Sequence, residues 1–152
     1  MSSKPRGNNE TVKNALDEVR SVYRDLVSRP VERNCTMRTE CCQFKLTGRV
    51  PYLTRGETLV AARGFRATGR KSLPVRADGA CPMLDEKSGR CLIYESRPFG
   101  CRTHFCRAAG GPYERKEVID LIRRLETVDA VLKGDGPRPL EAAVSAELDA
   151  MR

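Results

Sequence analysis

Apolar residues recur at helical spacing near the start of the chain. The segment NETVKNALDEVRSVYRDLVSRP predicts an amphipathic helix, because its apolar positions fall on one stripe: Val12, Ala15, Leu16, Val19, Tyr23 and Leu26. Asn9 is suited to cap the start of this helix, and Pro30 to end it. The charged opposite face is the expected solvent side, so the stripe predicts a core contact.

Two segments near the other end show the same periodicity. PYERKEVIDLIRRLETVDAVLKG predicts a long helix with one apolar face made of Val118, Leu121, Ile122, Leu125, Val128 and Leu132. Gly134 is expected to stop this helix in a left-handed conformation. GDGPRP then reads as a short linker. PLEAAVSAELDAM predicts a last amphipathic helix with Leu140, Ala143, Val144, Leu148 and Met151 on its apolar side.

The region between these helices is polar and interrupted, with one clear helix. Thr54 and Glu57 form a T-x-x-E capping box, which predicts a helix over RGETLVAARGFRA. Gly69 is expected just past its end. Before it, Phe44 and Leu46 alternate with polar residues, which allows a short strand after Cys42.

The stretch that follows is rich in turn-forming residues. DEKSGR predicts a hairpin or tight loop, with Gly89 at a position that needs unusual backbone angles. CLIY is expected to be a short buried strand. ESRP predicts a turn or a helix entry, and FGCRTHFC about one helical turn.

These elements predict a mainly α fold: a small helical domain with irregular cysteine-rich loops and room for one short β-hairpin, arranged around a metal centre. The length of 152 residues fits a single domain, 1–152. Within it we expect an N-terminal helix in 1–30 and a cysteine-cluster core in 31–106. C-terminal helices are expected in 112–134 and 138–152.

The composition predicts a hydrophobic core with few aromatic residues, and the absence of a signal or membrane segment predicts a cytoplasmic location. Aromatic residues make up 5% of the chain, tryptophan is absent and 32% of residues are charged, so a metal staple would help the fold. The first ten residues contain no apolar core of a secretory signal, and no apolar run is long enough to cross a bilayer. We therefore expect a cytoplasmic protein without membrane contact. Its thiols would then be reduced rather than paired in a disulfide framework.

The cysteines are the main candidates for chemistry. All seven lie between positions 35 and 106, beside turns, and none lies on the N-terminal or C-terminal helices. Ordinary buried cysteines scatter with the core, whereas ligands on loops converge on one point. The predicted metal ligands are these thiols and the single histidine: Cys35, Cys41, Cys42, Cys81, Cys91, Cys101, Cys106 and His104. The alternatives are reduced structural thiols or redox disulfides.

The spacing of these residues leaves their grouping open. Cys101 and His104 are three apart and would share one face of a helical turn, whereas Cys106 needs that turn to end. Cys41 and Cys42 point to different sides if the backbone is extended. Eight potential ligands are enough for two four-coordinate sites, and equally for one site with spare thiols.

The later half of this region, CPMLDEKSGRCLIYESRPFGCRTHFC, resembles the YkgJ-like cysteine-cluster proteins, a family described as a zinc- or iron-chelating domain of the CxxCxxCC type. The resemblance rests on Cys81, Pro82, Leu84, Asp85, Cys91, Ile93, Tyr94, Glu95, Arg97, Pro98, Cys101, Arg102 and Cys106. The early half, CTMRTECC, supplies Cys35, Cys41 and Cys42 but has Arg38 at the family's second cysteine. The resemblance implies a metal centre, and this departure implies that His104 replaces a thiol or that the site uses one ligand fewer.

The sequence does not decide whether the bound metal is zinc or an iron–sulfur cluster. Zinc suits a closed cage of four thiolates, or of three thiolates and an imidazole, and its binding would supply about 10–16 kcal/mol to the fold. An iron–sulfur centre suits four thiolates, although the tight ferredoxin spacing is missing. His104 is interpreted either as a ligand, which favours zinc, or as a hydrogen-bonding support of the site.

Other polar residues in the motif have structural explanations that we prefer. We expect Glu95 and Arg97 to form a local salt bridge, Arg102 to donate to thiolates or carbonyls, Tyr94 to pack, and Asp85 to cap its turn. Catalysis by any of them stays a weaker alternative.

Three functions follow. The first is a cytoplasmic metal-binding protein with a structural, metal-handling or sensing role, whose partners are a metal ion and another protein. The second is an iron–sulfur redox protein or metal-dependent enzyme, which is disfavoured because no catalytic zinc signature is present. The third is a zinc-stabilised module that binds nucleic acid. A net charge of +8 allows it, and its candidate patch consists of Arg55, Arg63, Arg66, Arg70 and Lys71.

Overall fold

A computed structural model describes residues 6–29, 50–103 and 114–151. The described part is mainly helical with one short antiparallel sheet, which confirms the predicted fold class. Its elements are α1 (Arg6–Val27), β1 (Tyr52–Leu53), α2 (Arg55–Ala67), a 3-10 turn (Tyr94–Ser96), the short helix α3 (Phe99–Thr103), α4 (Arg115–Val131), β2 (Arg138–Pro139) and α5 (Leu140–Ala150). None of the helices in these ranges is both long and apolar enough to cross a bilayer.

Helix α1 has the predicted apolar stripe but an earlier start. Five of the six stripe residues are buried and Val12 is partly buried; Val22 joins them. The cap expected at Asn9 is wrong, because Asn9 lies inside the helix. Pro30, the predicted stop, lies outside the described residues.

Helix α2 lies at the centre of the described fold. Its bounds match the capping-box prediction, and Gly69 follows it with a φ of 88°. One side joins the first hydrophobic core, in which α1, α2 and α4 pack together. Gly56 is required there: a Cβ would lie 2.6 Å from Val128 Cγ1 and 2.7 Å from Val19 Cγ2. The absence of a side chain at Gly56 therefore allows α1, α2 and α4 to pack closely at this point.

The second hydrophobic core lies on the other side of α2. Phe65 is fully buried there and packs with the apolar face of α5, as the periodicity of the last helix predicted. Residues of the cysteine-bearing loops complete this core: Ala80, Cys81, Met83, Leu84 and Ile93. The irregular loops are therefore attached to the helical scaffold through buried apolar side chains.

The sheet joins two distant parts of the chain. Strands β1 and β2 are antiparallel, with Tyr52 opposite Pro139 and Leu53 opposite Arg138. The GDGPRP segment therefore does more than link two helices. The sheet is separate from the hairpin predicted in the cysteine region, where Leu84 and Cys91 form a single bridge.

The end of α4 differs from the prediction. The left-handed residue is Lys133, with a φ of 58°, and not Gly134. Gly134 is needed for another reason: a Cβ there would lie 2.2 Å from Oδ1 of Asp129. That carboxylate is buried and accepts hydrogen bonds from the backbone N–H of Arg55 (2.7 Å) and of Gly136 (3.1 Å). Asp129 thus ties the end of α4 to the start of α2.

The predicted CLIY strand is wrong beyond its first residue. Cys91 makes the one bridge, and the backbone leaves the extended conformation at Ile93, whose ψ is 34°. The N–H of Ser96 then bonds to the Ile93 carbonyl at 2.7 Å and starts the 3-10 turn. The strand predicted around Phe44 and Leu46 lies outside the described residues.

Candidate metal centre

The hairpin between Cys81 and Cys91 is held by backbone bonds and one carboxylate. Leu92 N–H donates to the Met83 carbonyl at 2.8 Å. Asp85 caps the turn as predicted: its carboxylate accepts from the Ser88 hydroxyl at 2.7 Å and from the Ser88 N–H at 3.3 Å. Gly89 has a φ of 70°, which confirms its predicted turn role. Asp85 is thus committed to shaping the loop that carries the two cysteines.

An arginine with a largely covered side chain, Arg76, lies near Cys81. The side chain of Arg76 is 7% exposed, pairs with Asp78 at 2.6 Å and donates to the Leu84 carbonyl. The Asp78 hydrogen bond is the largest of the causes that raise the pKa of Arg76, and the nearby Cys81 contributes in the same direction. Cys81 is 4% exposed, and the guanidinium near it also pairs with Glu86 at 3.3 Å, so the charge of Arg76 is shared between two carboxylates.

Cys101 lies on α3, as the predicted turn of helix required. Its N–H donates to the Pro98 carbonyl at 3.1 Å, and Pro98 is fully buried. This confirms ESRP as a helix entry. Cys101 is partly buried, so its position is set by an anchored backbone and not by a free loop.

Two arginines close the loop between Cys91 and Cys101. Arg97 Nε donates to the Tyr94 carbonyl at 2.9 Å and its guanidinium stacks over the Tyr94 ring. Arg102 donates to the carbonyls of Arg97 and Glu95, both at 2.7 Å. The prediction that Arg102 donates hydrogen bonds to carbonyls is confirmed. Arg97 is held by the carbonyl and the ring of Tyr94 and not by the expected salt bridge with Glu95.

Glu57 anchors this loop to α2. Its carboxylate is 2% exposed and accepts from the N–H of Phe99 at 2.6 Å, from the hydroxyl of Tyr23 at 3.4 Å, and from both the N–H and the hydroxyl of Thr54, at 3.0 and 2.9 Å. Burial raises the pKa of Glu57, while the four hydrogen bonds oppose that rise. One side chain therefore joins α1, α2 and the start of the helix that carries Cys101.

A second anchor lies at the other end of α2. A Cβ on Gly64 would lie 2.7 Å from Oγ of Ser96 and 3.6 Å from Cγ2 of Ile93. The chain from Ile93 to Phe99 thus runs along α2 in the opposite direction, from Gly64 to Glu57. This path places Cys91 toward one end of α2 and Cys101 toward the other.

Tyr23 of α1 stacks beneath Arg102. The Arg102 guanidinium lies 4.0 Å from the centre of the Tyr23 ring. Burial, followed by the negative charge of Glu57, raises the pKa of Tyr23 well above its usual value, so the phenol keeps its proton. Cys101 lies close enough to affect the pKa of both Tyr23 and Arg102.

The described cysteines divide between two surroundings. Cys81 and Cys91 both pack in the second core, whereas Cys101 lies near Tyr23 and Arg102. No three metal-binding side chains come together within residues 6–29, 50–103 and 114–151. The other predicted ligands lie outside those ranges: Cys35, Cys41, Cys42, His104 and Cys106. The donor chemistry, thiols on anchored loops with arginines nearby, fits zinc or iron, and a complete site needs ligands from the remaining segments.

Two arginines of the basic patch predicted to bind nucleic acid make contacts within the protein. Arg55 pairs with the buried Glu147 at 3.1 Å, and Arg66 donates to the Met151 carbonyl at 2.9 Å. Both arginines therefore connect α2 with α5. Arg63, Arg70 and Lys71 stay candidates for that surface.

Comparison with known families decides the membership of the chain. Residues 33–121 match the family CxxCxxCC, described as "Putative zinc- or iron-chelating domain". The chain belongs to the CxxCxxCC family. The matched range covers all seven cysteines and His104. No curated protein and no solved structure matched the chain.

The roles of three residues around the site were not predicted from the sequence. Glu57 was identified only as half of a capping box, Tyr23 only as part of an apolar stripe, and Arg76 not at all. The capping box at Thr54 and Glu57 was the one available signal. Two partners of Glu57, Tyr23 and Phe99, lie 34 and 42 residues away in the chain, so their identity required the structure.

Proposed function

We propose that this protein is a cytoplasmic metal-binding protein in which cysteine thiolates hold zinc or an iron–sulfur centre. The metal would organise the loops and serve a structural, metal-handling or sensing role. The observation that carries the proposal is the family match over 33–121, which spans every cysteine of the chain.

The proposed ligands are Cys35, Cys41, Cys42, Cys81, Cys91, Cys101 and Cys106, with His104 as an eighth donor. When bound, the metal would join the segments that carry these ligands through its bonds to their side chains. Glu57, Arg97 and Arg102 then act on the protein side by holding the loop from Cys91 to Cys101 in place. Arg76 holds the loop around Cys81 through Asp78 and the Leu84 carbonyl.

We also propose that residues 1–152 form one domain, with 31–106 as its metal-binding core. The position of α2 supports this, since its two sides contact the helical core and the core that contains Cys81. Limited proteolysis should then release no stable half of the metal-loaded protein, and recovery of a separately folded helical fragment would contradict it.

Variants of Cys81 and Cys91 test the ligand assignment. Cys91→Ser and Cys81→Ser should each lower the metal content of protein purified without oxygen and destabilise the fold, because a structural metal contributes several kcal/mol. Ala80→Ser is the matched control: Ala80 is 4% exposed, so the change also buries a hydroxyl but removes no thiol. Full metal content in both cysteine variants would refute these ligands.

The same samples distinguish the two metals. An iron–sulfur centre gives broad visible absorption and iron with acid-labile sulfide. A zinc centre gives a colourless protein with stoichiometric zinc. Protein partners would be sought with the metal-loaded protein once its metal is known.

A further inference from the structure

A basic groove lies between α1 and the loop that carries Cys101. Its volume is about 350 Å³. Four of its residues follow one another along one face of α1, and two come from the loop; together they are Arg20, Tyr23, Arg24, Val27, Glu95 and Arg102. The groove is therefore formed where the scaffold helix meets the cysteine-bearing loop.

The groove has an excess of positive charge. Three guanidinium groups face one carboxylate, that of Glu95. Arg20 is 3.9 Å from Asp17, both exposed, and such a pair neutralises little charge. Arg24 has no ion pair with any residue in the described ranges. Arg20 and Arg24 thus place positive charge along the α1 side of the groove.

Arg102 is oriented before any ligand arrives. Two carbonyls hold its Nε and Nη2, and the Tyr23 ring lies beneath it. A guanidinium has five N–H donors, and residues 6–29, 50–103 and 114–151 engage two of them in these bonds. An oxyanion placed beside it would accept charge-assisted hydrogen bonds from its remaining N–H groups.

We propose that this groove binds a small organic molecule through a phosphate or carboxylate group. The volume lies at the lower end of the about 300–1,000 Å³ found for small-molecule sites. Val27, 77% exposed, offers apolar contact beside the arginines for the rest of the molecule. The proposal goes beyond the metal-binding function and does not depend on which metal is bound.

Titration of the full, metal-loaded chain with inorganic phosphate and with succinate tests the groove. Isothermal calorimetry or NMR should show saturable binding of at least one probe, weakening as salt is added. Binding of phosphate alone, of succinate alone or of both would support a phosphate-bearing ligand, a carboxylate-bearing ligand or a general oxyanion site, respectively.

Two exposed arginines supply the variants. Arg24→Gln and Arg20→Gln should each weaken binding at least about fivefold, because each removes a charged contact. Arg123→Gln is the control: it makes the same charge change at an exposed position on α4 that does not line the groove. Metal content, measured on the same samples, separates this site from the metal centre. Absence of saturable binding for both probes, or equal weakening by Arg123→Gln, would overturn the proposal.

Discussion

Replacing Glu57 by alanine should be among the most damaging single changes in this protein. The carboxylate accepts four hydrogen bonds, two of them from backbone N–H groups. Without it, the N–H groups of Thr54 and Phe99 and the hydroxyl of Tyr23 lose their acceptor in a buried place. Each unpaired buried donor costs about 1–3 kcal/mol. Water entering the new cavity would satisfy part of this demand, so we expect a total loss of about 3–5 kcal/mol.

Such a loss is a large fraction of the about 5–15 kcal/mol that stabilises a typical domain. Urea denaturation of the metal-loaded protein, followed by circular dichroism, measures it. Glu126→Ala is the control, because Glu126 is an exposed glutamate on α4. We also expect the alanine variant to lose metal faster to a chelator, since Phe99 begins the helix that carries Cys101. A change in unfolding free energy below about 1 kcal/mol would refute the anchoring role of Glu57. Ordinary surface substitutions change this free energy by up to about 0.5 kcal/mol, so a smaller effect would not distinguish Glu57 from a surface residue.

The remaining predictions concern pH and close packing. Because the folded-state pKa of Glu57 is raised, its contribution to stability is fully present below the ordinary carboxyl pKa and is lost as pH rises through the folded pKa. The stability of the wild type relative to Glu57→Gln should therefore fall over that range, and a difference that is constant with pH would contradict the raised pKa. Gly64→Ala should destabilise the fold by about 1–3 kcal/mol through its clash with Ser96, and Ser96→Gly in the same chain should recover part of the loss; no recovery would place the strain elsewhere. Gly134→Ala should cost about 1–3 kcal/mol, whereas Lys133→Gly should gain up to about 1 kcal/mol. Thermal unfolding measures both, and a loss of stability in Lys133→Gly would contradict the left-handed conformation of Lys133.

The helices could be predicted from the sequence because their signals are local. The stripe of α1, the capping box of α2 and the apolar faces of α4 and α5 all depend on residues within a few turns of one another. The same holds for the turn at Asp85 and Gly89. Where a local signal had two physical explanations, the prediction failed: Gly134 follows a helix as a cap glycine would, but it is there to admit the Asp129 carboxylate.

The features that join distant segments could not be predicted. Strands β1 and β2 have two residues each, too few for a periodic pattern. CLIY was expected to be a strand because it is apolar, yet the loop turns after Cys91 so that Ile93 and Ser96 can pack on α2. The environment of the candidate site depends in the same way on Glu57, whose partners come from α1 and α3. The candidate ligands were predicted from residue type and stay a prediction, whereas the side chains that support the loops around them depend on tertiary contacts.

The metal content of freshly purified, oxygen-protected protein tests the central claim most directly. Elemental analysis should find zinc or iron bound in stoichiometric amount, and removing it should unfold the region that contains Cys81, Cys91 and Cys101, as measured by hydrogen exchange. Protein that contains no metal and yet keeps those segments fully protected would contradict the account.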